Sequence, residues 1–454
     1  MKIEGRRKMS PISRKMIAII AAIIIVVAAV AGAMTYLAFF NTPATTKTTL
    51  NMWIHTFAPA VTLFKNLTAQ FEALHPDVQV VVTDTAFRDY EKKLSIAFAG
   101  GTGPDCFWLG DWGFRNYFDS GVMAPVNYTA MGYASQADFI NNRFWPGALD
   151  AFIVNGTCYS GGISEYDTIL ILYNKASFDR AGVPYPAQNV SLTWDKFAEL
   201  GKQLTLYDNS SKMTQMGWGF VYDARYGTSV LEPLIQQAGG QIYDPTAKGP
   251  TNLTAWQQVA QYAYDVGKFG KYGIDDPAFT IAPNPQNDLF TGRVAMAFMN
   301  PSGYASALSV NPNFTGGFMP LPHFEGYPRS TALYSYSYFV NNAVDAKKQE
   351  LAWQWIEFIT NDANTLRWYK EVGFVEPRNV VGYKDYLVQQ HDWINLFFDG
   401  FSIGKYSFRS PYYYAIVDNV PKFLQLLQVA NTDPNTAVNI TWNWIKSAAA
   451  TGIG

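Results

Sequence analysis

Charge is what this sequence has least of. Only 15% of its 454 residues are Asp, Glu, Lys or Arg, and the formal net charge is −2; soluble domains usually carry about 25%. No long basic run exists outside the N-terminus, which excludes the electrostatic footprint needed to hold nucleic acid. Histidine occurs only at positions 55, 75, 323 and 391. There is no HExxH pair, no GxSxG elbow and no Cys/His cluster, so metal-dependent hydrolysis and nucleophilic serine chemistry lack their usual parts, and no cofactor is called for. The two cysteines, Cys106 and Cys158, are too few for a disulfide scaffold and too widely spaced for a zinc or redox pair. They read either as one bridge or as two buried thiols acting as small apolar groups. So little charge also limits the change in self-repulsion as carboxylates protonate, which points to an acidic exterior habitat.

Aromatic side chains stand in the place of charge, at 16% of the chain, with Tyr and Trp supplying flat faces that carry polar tips. The length exceeds one ordinary core and implies about two lobes of ~200 residues. At the N-terminus, Lys2, Arg6, Arg7, Lys8, Arg14 and Lys15 precede an uncharged stretch over 16–40, which as a helix would extend about 38 Å and reach across a bilayer. The expectation is a basic cytoplasmic tail (1–15) and a single-pass transmembrane signal anchor (16–40), with everything that follows outside the cell membrane. The Thr-rich spacer 41–49, NTPATTKTT, fits an extended linker. Sequons fall at Asn66, Asn127, Asn155, Asn189, Asn209, Asn252, Asn313 and Asn439, where composition alone would give about three. That excess points to glycosylation of an extracellular body.

Within the body, apolar patterning predicts a strand over 50–54, a helix over 61–74, a strand over 78–82 and a helix over 90–98, the usual opening of a mostly parallel sheet with helices on its faces. A sharp turn through Gly100, Gly101, Gly103 and Pro104 leads into a short strand, 106–109, and then Asp111 and Trp112. Ligands of open α/β sheets sit beyond the carboxyl ends of strands, where these two residues fall. Further on, 169–173 reads as a buried strand, 176–181 as a short helix, and Thr193 as the cap of a helix through 204.

The strings FAGGTGPDCFWLGDWGFRNYFDSGVMAPV, YDTILILYNKASFDRAGV, LEPLIQQAGG, FTGRVAMAF and MPLPHFEGYPRS, followed by a helix over 350–360, occur in an order and spacing that resembles extracellular solute-binding proteins of family 1, including the maltose/maltodextrin-binding type. The resemblance covers residues 50–446. It implies an α/β, two-lobed periplasmic-binding-protein-like fold with an interlobe hinge, here preceded by the transmembrane helix. The lobes would be 50–166 plus 337–378 and 167–336 plus 379–446, ahead of a tail at 447–454, with crossings near Asp167, 333–338 and 376–381. The implied function is the substrate-binding component of an ABC importer: a monomeric, non-enzymatic receptor that closes on a sugar and delivers it to permease subunits.

Sugars present hydroxyls around flat apolar faces, so their sites need carboxylates or amides as acceptors and aromatic rings as stacking surfaces. By resemblance, Trp108, Asp111 and Asp167 fall where the family places an aromatic and two acidic contacts, and Tyr413 falls on a stacking position. Trp112 and Asp418 stand where that relative is basic, which points to a different sugar or a different ring orientation. Asn300 and Tyr304 follow a strand where the family places a ring, although Ser302 holds the directly matched position. Tyr334 and Tyr336 alternate onto one face of the second crossing, facing either cleft or core. Trp218, Tyr222 and His55 complete the candidate set. An extracellular glycan hydrolase, needing only two opposed carboxylates, is the enzymatic alternative; a receptor for iron, peptide or polyamine is the other.

Overall fold

The alternating strands and helices that open the body form β1 (Thr48–His55), a helix Ala58–Leu74, β2 (Val78–Thr85), a helix Phe87–Ala99 and β3 (Cys106–Gly110) in the computed structural model. The structure describes residues 11–40, 47–220, 224–279, 286–407, 410 and 412–451, so Tyr222 lies outside the described residues. β1 runs parallel to β3, with Met52 opposite Cys106. The chain continues through β4 (Ile163–Thr168), β5 (Leu170–Asn174), β6 (Met296–Met299), β7 (Gly316–Met319), β8 (Thr331–Val340) and β9 (Gly404–Tyr406). The first sheet has the order β9-β8-β3-β1-β2, with β4 also paired to β8, and a second, three-stranded sheet has the order β6-β5-β7. These sheets organise the two lobes of a mixed α/β fold. The chain passes from one sheet to the other across Ile169.

β4 is the element that patterning missed. Its sequence, ISEYDT, carries polar residues at four of its six positions, in two adjacent pairs, yet every residue is buried. Burial is tolerated because the polar groups find partners: Ser164 accepts from Trp108 Nε1 at 2.7 Å. β8 runs antiparallel to both β3 and β4, so that Tyr336 pairs with Gly110 on one side and Glu165 on the other. That arrangement makes the sheet mixed where the opening pattern suggested parallel. Asp111, 1% exposed, accepts the Ser335 backbone N–H at 2.7 Å and so ties the start of helix Asp111–Asp119 to the middle of β8.

Trp108, Trp355, Trp368, Phe64 and Phe71 are fully buried, with Phe64 edge-on to Trp368 and Phe71 edge-on to Trp355. Each such ring removes ~150–250 Å² from water, worth about 4–6 kcal/mol as an upper estimate. Helix Ala346–Ile359 begins a few residues ahead of the expected 350–360. The C-terminal helix Pro434–Thr451 continues into the segment that the sequence set apart as a tail. Cys106 and Cys158 are both free and buried, which settles the open alternative against a bridge. Burial pushes the Cys158 thiol up to about 12 and raises that of Cys106, as expected of inert packing groups.

At the N-terminus, Pro11–Phe40 is one helix, in a unit separate from the body. Its described side chains, 16–32, are exposed. Among the described residues no helix is long and apolar enough to cross a membrane. All eight sequon asparagines are exposed.

Below β8, Glu376 is fully buried, and burial pushes it up to about 8 against the opposing pull of Arg378. Because this folded value lies above the ordinary 4.5, the stability it contributes is full below pH ~4.5 and is lost as pH rises through about 8. Thermal unfolding should therefore occur at higher temperature at pH 5 than at pH 8.5, and Glu376→Gln should shrink that difference by on the order of 5 °C; an unchanged difference would refute the assignment. Asp111→Ala, which leaves the Ser335 N–H without its acceptor, should cost about 1–3 kcal/mol in denaturant unfolding.

Candidate ligand-binding site

Three successive strands of the first sheet end by placing an aromatic ring at their carboxyl side. β1 is followed by Phe57, β2 by Phe87 and β3 by Trp112. These rings, with His55, Glu165, Ser229, Asn300, Ser302, Tyr334, Tyr336, Phe374 and Tyr413, enclose a cavity of about 190 Å³. His55 lies flat on Trp108, with centroids 4.5 Å apart and planes at 9°, and is tilted against Tyr336 at 4.9 Å. Trp108 is therefore the floor beneath a cavity-lining ring, itself 0% exposed. Trp112 stands edge-on to Tyr336 at 5.0 Å, and its Nε1 donates to the buried Glu91 at 2.9 Å. With its polar tip engaged, the indole has only ring surface left for a ligand. Gly110 makes this fold-back feasible, since a Cβ there would lie 2.4 Å from the Trp112 ring.

The polar part of the site is built around Asn300. Its side-chain oxygen accepts from Gly303 N and caps the helix Pro301–Val310, with proline at the first helical position where no N–H is needed. Its amide nitrogen faces Asp167 Oδ2 at 2.7 Å, Ser302 Oγ at 2.9 Å, Glu165 Oε1 at 3.4 Å and the Tyr334 hydroxyl. Two N–H groups cannot satisfy all of these, so some must also donate to one another. Glu165 and Asp167 lie two apart on β4, hence on one face, and hydrogen-bond each other. Burial pushes Glu165 up to about 7. Burial and then the Glu165 charge raise Asp167 well above the ordinary carboxylate range. The pair thus keeps a proton near neutrality, because two adjacent dry carboxylates cannot both ionise.

Of the residues singled out from sequence, His55, Trp112, Asn300, Tyr334, Tyr336 and Tyr413 line this cavity, and Asp167 joins through Asn300 and Tyr334. Others do not. Asp111 is spent on the Ser335 backbone. Trp218 is fully buried between Phe197 and Phe298, so it packs the second lobe and is corrected to a core residue. Tyr304 lines a different, larger cavity. Phe57 and Phe87 were missed, although the strand-end rule that selected Trp112 also finds them; Glu165 was passed over beside Asp167. Ser229 and Phe374 carried no signal in their own neighbourhoods. Among the described residues no group of three or more His, Cys, Asp or Glu is disposed to hold a metal.

The chain matches the family model for bacterial extracellular solute-binding proteins over residues 58–366. A maltotriose-binding protein of Pyrococcus abyssi is 22% identical over 312 residues, 67% of this chain and 61% of that protein. A lactose-binding protein of Rhizobium radiobacter is 28% identical over 198 residues, 43% of this chain and 42% of that protein. The chain thus spans 61% and 42% of these two relatives. Among solved structures, an ABC transporter solute-binding protein of Thermotoga lettingae bound with alpha-D-tagatose superposes with a TM-score of 0.73 at 20% identity, over 89% of this chain and 100% of that one. A substrate-binding protein of Listeria monocytogenes in complex with cycloalternan gives 0.72 at 20% identity, over 90% and 100%. UgpB of Mycobacterium tuberculosis in complex with glycerophosphocholine gives 0.72 at 18%, over 89% and 99%. These structural likenesses carry the fold, and the family match, which extends over more than half of the sequence, carries the assignment: the chain belongs to the bacterial extracellular solute-binding protein family.

Proposed function

We propose that this protein is the substrate-binding component of an ABC importer, held outside the cell by its apolar N-terminal segment, and that it receives a neutral sugar or oligosaccharide by hinge closure and delivers it unchanged to membrane permease subunits. The carrying observation is the cavity, walled by rings and floored by an amide-bridged acid pair that still holds a proton. Flat apolar faces match pyranose rings, and a carboxyl–carboxylate pair donates as well as accepts, which suits hydroxyl groups. The maltotriose-binding and lactose-binding relatives support the same ligand class.

In this reading the chain crosses between the lobes near 166/167, 336/337 and 378/379, and ligand shifts the open–closed equilibrium by touching both lobes. The uncharged run 16–40 supports the tether, and the exposure of all eight sequons supports a glycosylated exterior.

The acid pair weighs against a glycan hydrolase working through these two residues and against a polyamine receptor. A glycosidase sets its carboxyl groups on opposite sides of the scissile bond, ~5–9.5 Å apart, whereas Glu165 and Asp167 share one face of one strand and bond each other. A polyamine receptor would need both ionised. The sign of the pH dependence separates the ligand classes: enclosing a neutral guest dries the pair further and favours its protonated form, so sugar affinity should fall several-fold between pH 5.5 and 8.5, while affinity for a cation should rise. Titrations of the full chain with maltotriose and lactose, followed by tryptophan fluorescence with recovery of the sugar checked by mass spectrometry, provide the measurement. Asn300→Ala should weaken binding by about 10–100-fold. Release of reducing ends, or tighter binding at high pH, would defeat the proposal.

A further inference from the structure

A second cavity, of about 780 Å³, adjoins the first. Phe57 lines both, and consecutive residues are divided between them: Pro301 on one side with Asn300 and Ser302 on the other, and Gly373 on one side with Phe374 on the other. The two spaces are therefore neighbouring chambers of one groove. The partition is a pair of rings, Phe57 and Phe374, stacked with centroids 5.4 Å apart and planes at 11°. Phe57 is only half-buried, which leaves part of its surface open at the junction.

We propose that the cargo is an oligosaccharide longer than a disaccharide, with one end in the inner acidic cavity and its remaining rings in this outer chamber against Tyr304, Tyr369, Tyr386 and His391. This rests on the carbohydrate reading above and extends it to the size of the ligand.

Size is the first argument. Pockets that bury a small molecule usually measure ~300–1,000 Å³; the inner cavity alone, at about 190 Å³, falls below that range, and only with the outer chamber does the groove reach its upper part. Lining is the second. The outer chamber repeats the composition that makes the inner one suited to sugars, with half-buried rings bearing polar atoms. Tyr369 and Tyr386 meet edge to face at 6.1 Å and 90°. Tyr304 lies against Trp393 at 5.4 Å, and His391 covers the Trp393 face at 4.3 Å and 10°. Trp393 is thereby locked behind the imidazole, so His391 presents the outer surface of a stacked, preorganised platform. Burial holds His391 below the ordinary imidazole value, against the pull of Asp392, so the platform is neutral at pH 7 and offers both a donor and an acceptor nitrogen. Charge enters at the exposed Lys370 and Glu371, which carry opposite signs and select no ionic guest.

The full chain, reconstituted in nanodiscs, should be titrated by calorimetry with one- to six-ring members of α-1,4-gluco, β-1,4-gluco and β-1,4-manno series. In the series that binds, affinity should rise with length beyond two rings. Tyr386→Ala and His391→Ala, both outside the inner cavity, should each lower affinity for the four-ring member by on the order of fivefold to tenfold, with the two-ring member unaffected. Tyr386→Phe, which keeps the ring, should restore most of the loss. Affinity that stops rising at two rings, or variants that weaken long and short sugars equally, would overturn the outer-chamber assignment and leave the carbohydrate reading standing. No binding in any series, with a non-carbohydrate molecule recovered from natively purified protein, would bring down both.

Discussion

The architecture turns on one bridge, the Asn300 amide set against the Glu165–Asp167 pair. Asn300 follows a strand of the second sheet, and the two acids sit on a strand of the first. A hydrogen bond between an amide and a buried acid pair is strong only while water stays out, since the surrounding low dielectric strengthens the contact and makes its loss costly. The aromatic walls provide that exclusion. His55, Tyr336, Phe374 and Tyr413 are all buried, although each reaches the cavity, so the acids meet ring edges and faces instead of bulk solvent. Removing the rings would not only strip stacking surface but also wet the carboxyls and let the second proton go.

Much of this was readable from residue order, and the parts that were not share a cause. The strand-helix opening, the cap at Thr193 and the strand ahead of Asp111 depend on local period and on residue chemistry within a few positions, which sequence carries directly. β4 escaped because ISEYDT looks like a loop until its partners are known: Trp108 for Ser164, and Asn300 for Asp167. A polar strand is stable in the interior only by virtue of groups 56 and 133 residues away. Trp218 failed for the mirror-image reason, since a tryptophan beside glycines at a turn looks exposed until Phe197 and Phe298 close over it.

Asp111 is a third kind of case. Its position beyond a strand end marks the neighbourhood of the cavity, which its neighbour Trp112 lines. The carboxylate itself, however, turns toward the Ser335 backbone. A position can be legible while the direction of its side chain is not, because direction is decided by whichever donor is nearest and least solvated. Phe374 has no local signal at all, since it reaches the cavity from just ahead of a buried acid and a proline, in a stretch whose pattern gives no sign of a ligand.

The double engagement of Asn300 has an evolutionary corollary. One end of its amide terminates a helix and the other organises the acids, so no replacement except a near-isostere satisfies both demands, and drift at this site meets selection from two directions at once. Ser229 and Tyr413 touch the same cavity without holding its acid pair to a helix cap. Paralogues that exchange one cargo for another should accumulate their changes at those two walls and keep the asparagine.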